Sequence, residues 1–369
     1  MSDRLHEMRH GSALGAGKLL ARAVATQARA ARDLKLAIDD FFLPEAVRLG
    51  ERLRSELALM LERLVDGIET GIRGDARHLL AARGESGLIA ALERIDDAVY
   101  QRLTESGLLR DAGLMAELIA RVRQEALAAA LPMHAPDNPE QPSLLNRFSQ
   151  NPDRMLANGA VALLMAESRR RGTGGSGQAG DLPPELQHRL TWWVAAAIRE
   201  TTAASGAEGV AVDRVLSEAA LRSLAAYDEG DRLEDAALRF AAALDAPPDE
   251  LAALLIEALG DGRVVLFIAI LAHGLGVGFP AARDLVLDPA GEGLWVALRA
   301  LDLPRGAVAQ IGYALCEADA RRGLEQFADR LDEIMALDPI EAGRAVATLR
   351  LHPDYCAAIL ALAPSGNMT

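Results

Sequence analysis

Three helix-like apolar stretches in the last third of the chain each run to a leucine, break, and restart as a second amphipathic stretch. The breaks are Leu244-Asp245-Ala246-Pro247, Leu275-Gly276-Val277-Gly278 and Leu301-Asp302-Leu303-Pro304. Apolar or small residues return seven and ten positions after each leucine, as Leu251 and Leu254, Ala282 and Leu285, Val308 and Ile311. That spacing is one face of a helix at about 3.6 residues per turn. The unit is an αα-hairpin, and a hairpin with one apolar face cannot bury it alone, so its copies must stack. The expected fold is all-α. The breaks are offset by 31 and then 26 residues, which suits an irregular stack of hairpins better than a regular superhelix.

Composition agrees with helices. Aromatic residues make up only 4% of the chain while alanine and leucine dominate, a balance that favours helix over strand. At 369 residues the chain exceeds what one core usually serves. The sequence predicts a helical bundle over residues 1–131, a proline-rich linker over 132–142 and a hairpin-repeat domain over 143–369. Residues 172–180, Gly-Thr-Gly-Gly-Ser-Gly-Gln-Ala-Gly, read as a flexible loop. They do not read as a phosphate cradle: no strand precedes them, no Lys-Ser/Thr follows, and Asp181 stands where the helix would begin.

Four apolar stripes build the expected N-terminal bundle. The first lies in residues 12–38, and the second runs from Leu49 to Ile72 with breaks expected at Gly71 and Gly74. The third passes through Leu88, Leu92, Ile95, Val99 and Leu103, and the fourth through Leu114, Leu118, Val122 and Leu127 until Pro132 stops it. The second is the longest. Its residues Leu49, Leu53, Leu57, Leu61, Leu64 and Ile68 form a candidate self-association stripe, and the bundle closes either within one chain or as a homodimer.

Charge excludes one class of partner. Residues 181–369 carry 15 basic and 29 acidic side chains, a net of −14 that equals the net charge of the whole chain. Phosphate backbones need Lys and Arg to displace counterions, so nucleic acid is not an expected partner. The segment from Ile268 to Val286 has the spacing of a helix-turn-helix, kept here as an alternative reading. Its second helix, however, offers only Arg283, next to Asp284, and no Asn or Gln to pair with a base.

Membrane insertion is not expected either. The longest apolar run, Val264 to Val277, has 14 residues against the ~20 that span a bilayer, and the first 17 residues hold no apolar signal core. A cytoplasmic setting follows from this reading. Cys316 and Cys356 sit in helical contexts 40 positions apart and predict neither a disulfide nor a zinc site. His6-Glu7-Met8-Arg9-His10 matches the letters of a zinc-protease helix but brings no third ligand. No catalytic residue, metal or cofactor is expected. Trp192 and Trp193 are adjacent on a helix and cannot both face inward, which makes them candidate partner anchors.

Phe41-Phe42-Leu43-Pro44, the helix after it with Ile68-Glu69 and Ile72-Arg73, and Asp288-Pro289-Ala290-Gly291-Glu292-Gly293-Leu294 leading into Leu301-Asp302-Leu303-Pro304 are the residues that carry a resemblance. With them the chain resembles a bacterial family of uncharacterised all-helical proteins that carry a domain of unknown function with HEAT-like helix pairs. The resemblance implies a helical fold and a bacterial setting, and brings no site residue with it. The expected function is a non-enzymatic protein–protein interaction scaffold in regulation or signalling. The alternative is an enzyme whose groups converge only in three dimensions.

Overall fold

The computed structural model describes residues 49–92, 98–131, 142–171, 181–202 and 206–352, together with Tyr355, Ala358 and Leu362. Residues 12–38, Phe41 to Pro44, Ile95, linker residues 132–141, the Gly-rich loop 172–180, His6, His10 and Cys356 lie outside the described residues. The described residues form sixteen α-helices and three short 3-10 turns, with no strand among them. The all-α expectation holds.

Helix α1, Glu51–Ala82, passes straight through Gly71 and Gly74, where breaks were expected. A mid-helix glycine costs about 1 kcal/mol, and here Ile68, Ile72, Ala76, Leu79 and Leu80 are all buried around it, so tertiary burial outweighs the local preference. Helices α2, Ser86–Leu92, and α3, Ala98–Ser106, share the third stripe. Helix α4, Ala112–Ala130, starts where the Asp111 carboxylate accepts the Leu114 N–H at 2.9 Å, and it buries the whole fourth stripe.

Helices α5, Leu144–Ser149, and α6, Arg154–Arg171, precede the loop; α7, Pro184–Thr201, and α8, Gly206–Ala225, follow it. The repeat region then runs through α9, Leu233–Leu244; α10, Pro248–Gly260; α11, Val264–Leu275; and α12, Phe279–Leu287. It ends with α13, Glu292–Ala300; α14, Arg305–Ala318; α15, Leu324–Ala336; and α16, Pro339–Val346.

All three breaks read from the sequence fall between helices and use one device. Asp245, Gly276 and Asp302 each take a left-handed backbone, with φ of 35°, 66° and 50°. That conformation turns the chain out of the helix; it is unstrained for glycine and tolerated by aspartate. Pro248 holds the first helical position after the first break, Pro184 and Pro339 hold it in other helices, and the Asp338 carboxylate caps α16 through the N–H groups of Ile340 and Glu341.

Helix α11 is the hub. Val264, Leu266 to Ala272 and Leu275 are all buried, and α9, α10, α12 and α4 pack around it. Its contact with α4 crosses the sequence boundary expected at 132–142, as do the contacts of α4 with α12 and α14. Residues Arg52–Thr369 group as one compact unit. Neighbouring hairpins do pack, as in α11 with α12 and α14 with α15, but α10 also meets α14 and α13 meets α16.

Helices α14 and α15 cross at closest range over Gly312. An ideal Cβ there would stand 2.0 Å from Phe327 Cζ, and Phe327 in turn rests on Trp295 with ring centroids 4.7 Å apart. Gly312→Ala is therefore expected to lower stability by ~1–3 kcal/mol through overpacking. Urea unfolding measures it, and an unchanged midpoint would mean that Phe327 swings aside freely.

Candidate functional site

A polar stripe runs along helix α4: Glu117, Arg121 and Gln124, spaced four and three residues apart, lie on one side of it. Arg121 and Gln124 are buried. Glu117 and Arg121 meet a set of charges drawn from four other parts of the chain. Asp181, directly before α7, receives Arg121 and Arg170 on one carboxylate oxygen, Oδ2. Its other oxygen accepts the Leu233 N–H at 3.1 Å, so Asp181 caps α9 from 52 residues away. Its backbone carbonyl takes a second hydrogen bond from Arg121, at 3.0 Å.

Arg170, on the last turn of α6, reaches a second carboxylate as well, donating to Glu234 Oε1 at 2.7 Å. Arg232 adds an ion pair to Asp235 at 3.0 Å and lies 3.8 Å from Glu234. One turn earlier on α4, Arg283 of α12 forks onto both oxygens of Glu117 at 3.1 and 2.8 Å. Tyr227 Oη donates to the Leu182 carbonyl at 2.6 Å, closing the edge of the cluster.

Burial alone would push the Glu234 carboxyl up. The guanidiniums of Arg170, Arg121 and Arg232 outweigh burial and hold it well below the usual carboxylate range. Burial likewise works against the charge on Arg170, but Glu234 and Asp181 overcome it and keep the guanidinium protonated more firmly than usual. Burial pushes the Tyr227 hydroxyl up to about 12. Groups held so firmly in one charge state do not exchange protons near neutral pH. Arg121, Arg170, Arg232 and Arg283 stand against Glu117, Asp181, Glu234 and Asp235, four charges of each sign, and the cluster acts as a clamp joining α4, α6, α9 and α12.

Arginine also finishes helix ends elsewhere. Arg350 donates to the Leu275 carbonyl at 2.9 Å, Arg322 to Val286 at 2.5 Å, and Arg299 to Leu303 and Leu337 at 3.2 Å. Leu275 and Val286 lie in the last turns of α11 and α12, where carbonyls have no partner inside the helix.

The residues singled out from the sequence are scattered. Within the chain Leu57, Leu61, Leu64 and Ile68 are buried, while Leu49 and Leu53 at the start of the stripe are half-buried. Trp192 and Trp193 are both half-buried, and Trp192 Nε1 donates to His188 Nε2 at 3.2 Å. Helices α11 and α12 are bent by 118°, but Arg283, the one basic residue of the second, is turned inward onto Glu117. Burial pushes the Cys316 thiol up, away from the reactive thiolate. Among the described residues no group of three or more His, Cys, Asp or Glu could hold a metal ion. None of their helices is long and apolar enough to cross a membrane alone.

A family model described as an uncharacterised protein conserved in bacteria, DUF2336, matches residues 142–347. The chain belongs to the DUF2336 family. Neither a curated protein nor a solved structure matches it. The DUF2336 segment spans α5 to α16 and so contains Arg170, Asp181, Arg232, Glu234 and Arg283. Glu117 and Arg121 lie before it, so α4 supplies part of the clamp from outside the DUF2336 match.

Sequence reasoning missed the clamp. Its one local trace was the stripe Glu117, Arg121, Gln124 on α4, which runs at helical spacing beside the apolar stripe of Leu114, Leu118 and Val122.

Proposed function

We propose that this DUF2336 protein is a non-enzymatic scaffold that binds other proteins, acting in the cytoplasm in regulation or signalling. The observation that carries the reading is a set of large apolar side chains left on outward helix faces. Met155, Val161 and Met165 on α6, Val210 and Leu221 on α8, and Ile340 on α16 are all exposed. Grouped exposed apolar residues mark interaction surfaces more often than single ones do. The interior supports the same reading, because its buried charges in the clamp are spent on one another. Self-association through α1 would draw on Leu49 and Leu53 first, since the rest of that stripe is covered.

Photo-reactive side chains placed one at a time at positions 165, 221 and 340 in the native host test it. The expected result is a discrete cross-link to a different protein from at least one position. Three silent positions at normal expression would remove the scaffold reading.

A further inference from the structure

Helix α4 lies outside the stretch that the DUF2336 model matches, yet its ion-pair partners lie inside it. Asp111, its cap, pairs with Arg189 of α7 at 2.7 Å, Glu117 pairs with Arg283 at 2.8 Å, and Arg121 pairs with Asp181. The helix beds down on α11, α12 and α14, all three within the match. An ideal Cβ on Gly113 in its first turn would stand 3.6 Å from Leu186 of α7, and one on Gly262 after α10 would stand 3.7 Å from its Ala128 carbonyl. The matched segment thus forms a bed for a whole helix of 19 residues, ~28 Å long. Residues 132–142, which join α4 to the matched segment, hold four prolines. The fit is incomplete at one point: Gln124 is buried, and its Oε1 has no hydrogen-bond partner among the described residues.

Resting on the scaffold reading, we infer that this bed is a docking site for a partner protein's helix, which α4 occupies from within the chain. The partner helix carries carboxylates in the register of Asp111 and Glu117, an arginine in that of Arg121, and an apolar residue where α4 has Gln124. Two arginines and one aspartate on the bed read the direction of the helix, because a reversed one sets like charge on like. Exchange leaves no charge stranded: the incoming helix answers Arg189, Arg283 and Asp181 as α4 did. A helix without those charges would leave Arg283 and Asp181 buried and unanswered, a costly state. What favours α4 is its attachment, since a short connection holds it at an effective concentration on the order of millimolar. A partner therefore has to fit better than α4, and the unanswered Gln124 leaves room for that.

The test uses the full chain, unmodified and with Glu117→Lys, which sets α4 against Arg283. The probe is a fluorescent peptide of residues 109–131 carrying Gln124→Leu, followed by anisotropy. It is expected to bind the Glu117→Lys chain saturably and at least tenfold more tightly than the unmodified chain. The same peptide with Glu117→Arg and Arg121→Glu is expected to bind neither. Where Glu117→Lys does not fold cooperatively, the unmodified chain cut at a protease site set within residues 133–141 takes its place, compared with the uncut chain. The inference is overturned by no saturable binding to the opened chain, by equal affinity for the opened and closed chains, or by equal binding of the charge-exchanged peptide. Cross-links from position 165, 221 or 340 in the native host alongside any of those results would leave the scaffold reading standing and remove only the α4 site.

Discussion

Replacing Asp181 with alanine should cost ~3–5 kcal/mol of folding stability, the range for breaking one side of a buried ion pair. The loss comes less from the bonds themselves than from what stays behind. Arg121 and Arg170 would keep their charges in an interior where the Asp181 carboxylate had balanced them. The Leu233 N–H at the start of α9 would lose its only cap. Denaturant unfolding of the full chain measures the effect. A loss under ~1 kcal/mol would mean that the arginines escape to water and that the clamp contributes little to the fold.

The same cluster predicts an acid limit. Glu234 titrates at about 2 in the folded chain against an ordinary 4.5, so its folded value is the lower. The stability it contributes is complete above pH ~4.5 and is lost as the pH falls toward 2. That acid-sensitive part should vanish in Glu234→Gln, which would itself be destabilised at neutral pH.

The second large effect belongs to Phe240. Its ring is fully buried, meets the Phe148 ring edge-on at 5.6 Å, and lies over Gly159 of α6. Phe240→Ala should cost ~3–5 kcal/mol by transfer and cavity terms together. An ideal Cβ at Gly159 would stand 3.1 Å from Phe240 Cδ2, tight beside the ring but free once it is gone. Adding Gly159→Ala to Phe240→Ala should therefore recover part of the loss, although Gly159→Ala alone gains nothing. A double-mutant cycle reads the coupling; strict additivity of the two losses would show that the α6–α9 crossing does not rest on this contact.

Much of the repeat region was legible because its signals are local. Asp245, Gly276 and Asp302 turn the chain within four residues of an apolar stripe, Pro248 restarts it after the first turn, and Pro184 and Pro339 open helices elsewhere, so periodicity and punctuation suffice. Gly71 and Gly74 misled for the opposite reason: what holds α1 together there is burial of Ile68 and Ile72, a tertiary fact. The clamp was illegible because its partners are 11 to 166 residues apart. Arg170 stands among three consecutive arginines with nothing local to single it out, and Asp181 reads only as standing where a helix would begin. The exposed face of α6 was hidden in the same way, since Met155 and Met165 carry no mark that tells an outward methionine from an inward one.

The position of α4 bears on where this molecule can be cut. A fragment starting at residue 142 would keep Arg170, Arg283 and Asp181 but lose the Glu117 and Arg121 that answer them. It would also lay open the sides of α11, α12 and α14 that α4 covers. A piece that keeps the clamp must therefore begin no later than Asp111, about thirty residues ahead of the DUF2336 match, and versions starting at 142 would be sticky and half-charged inside.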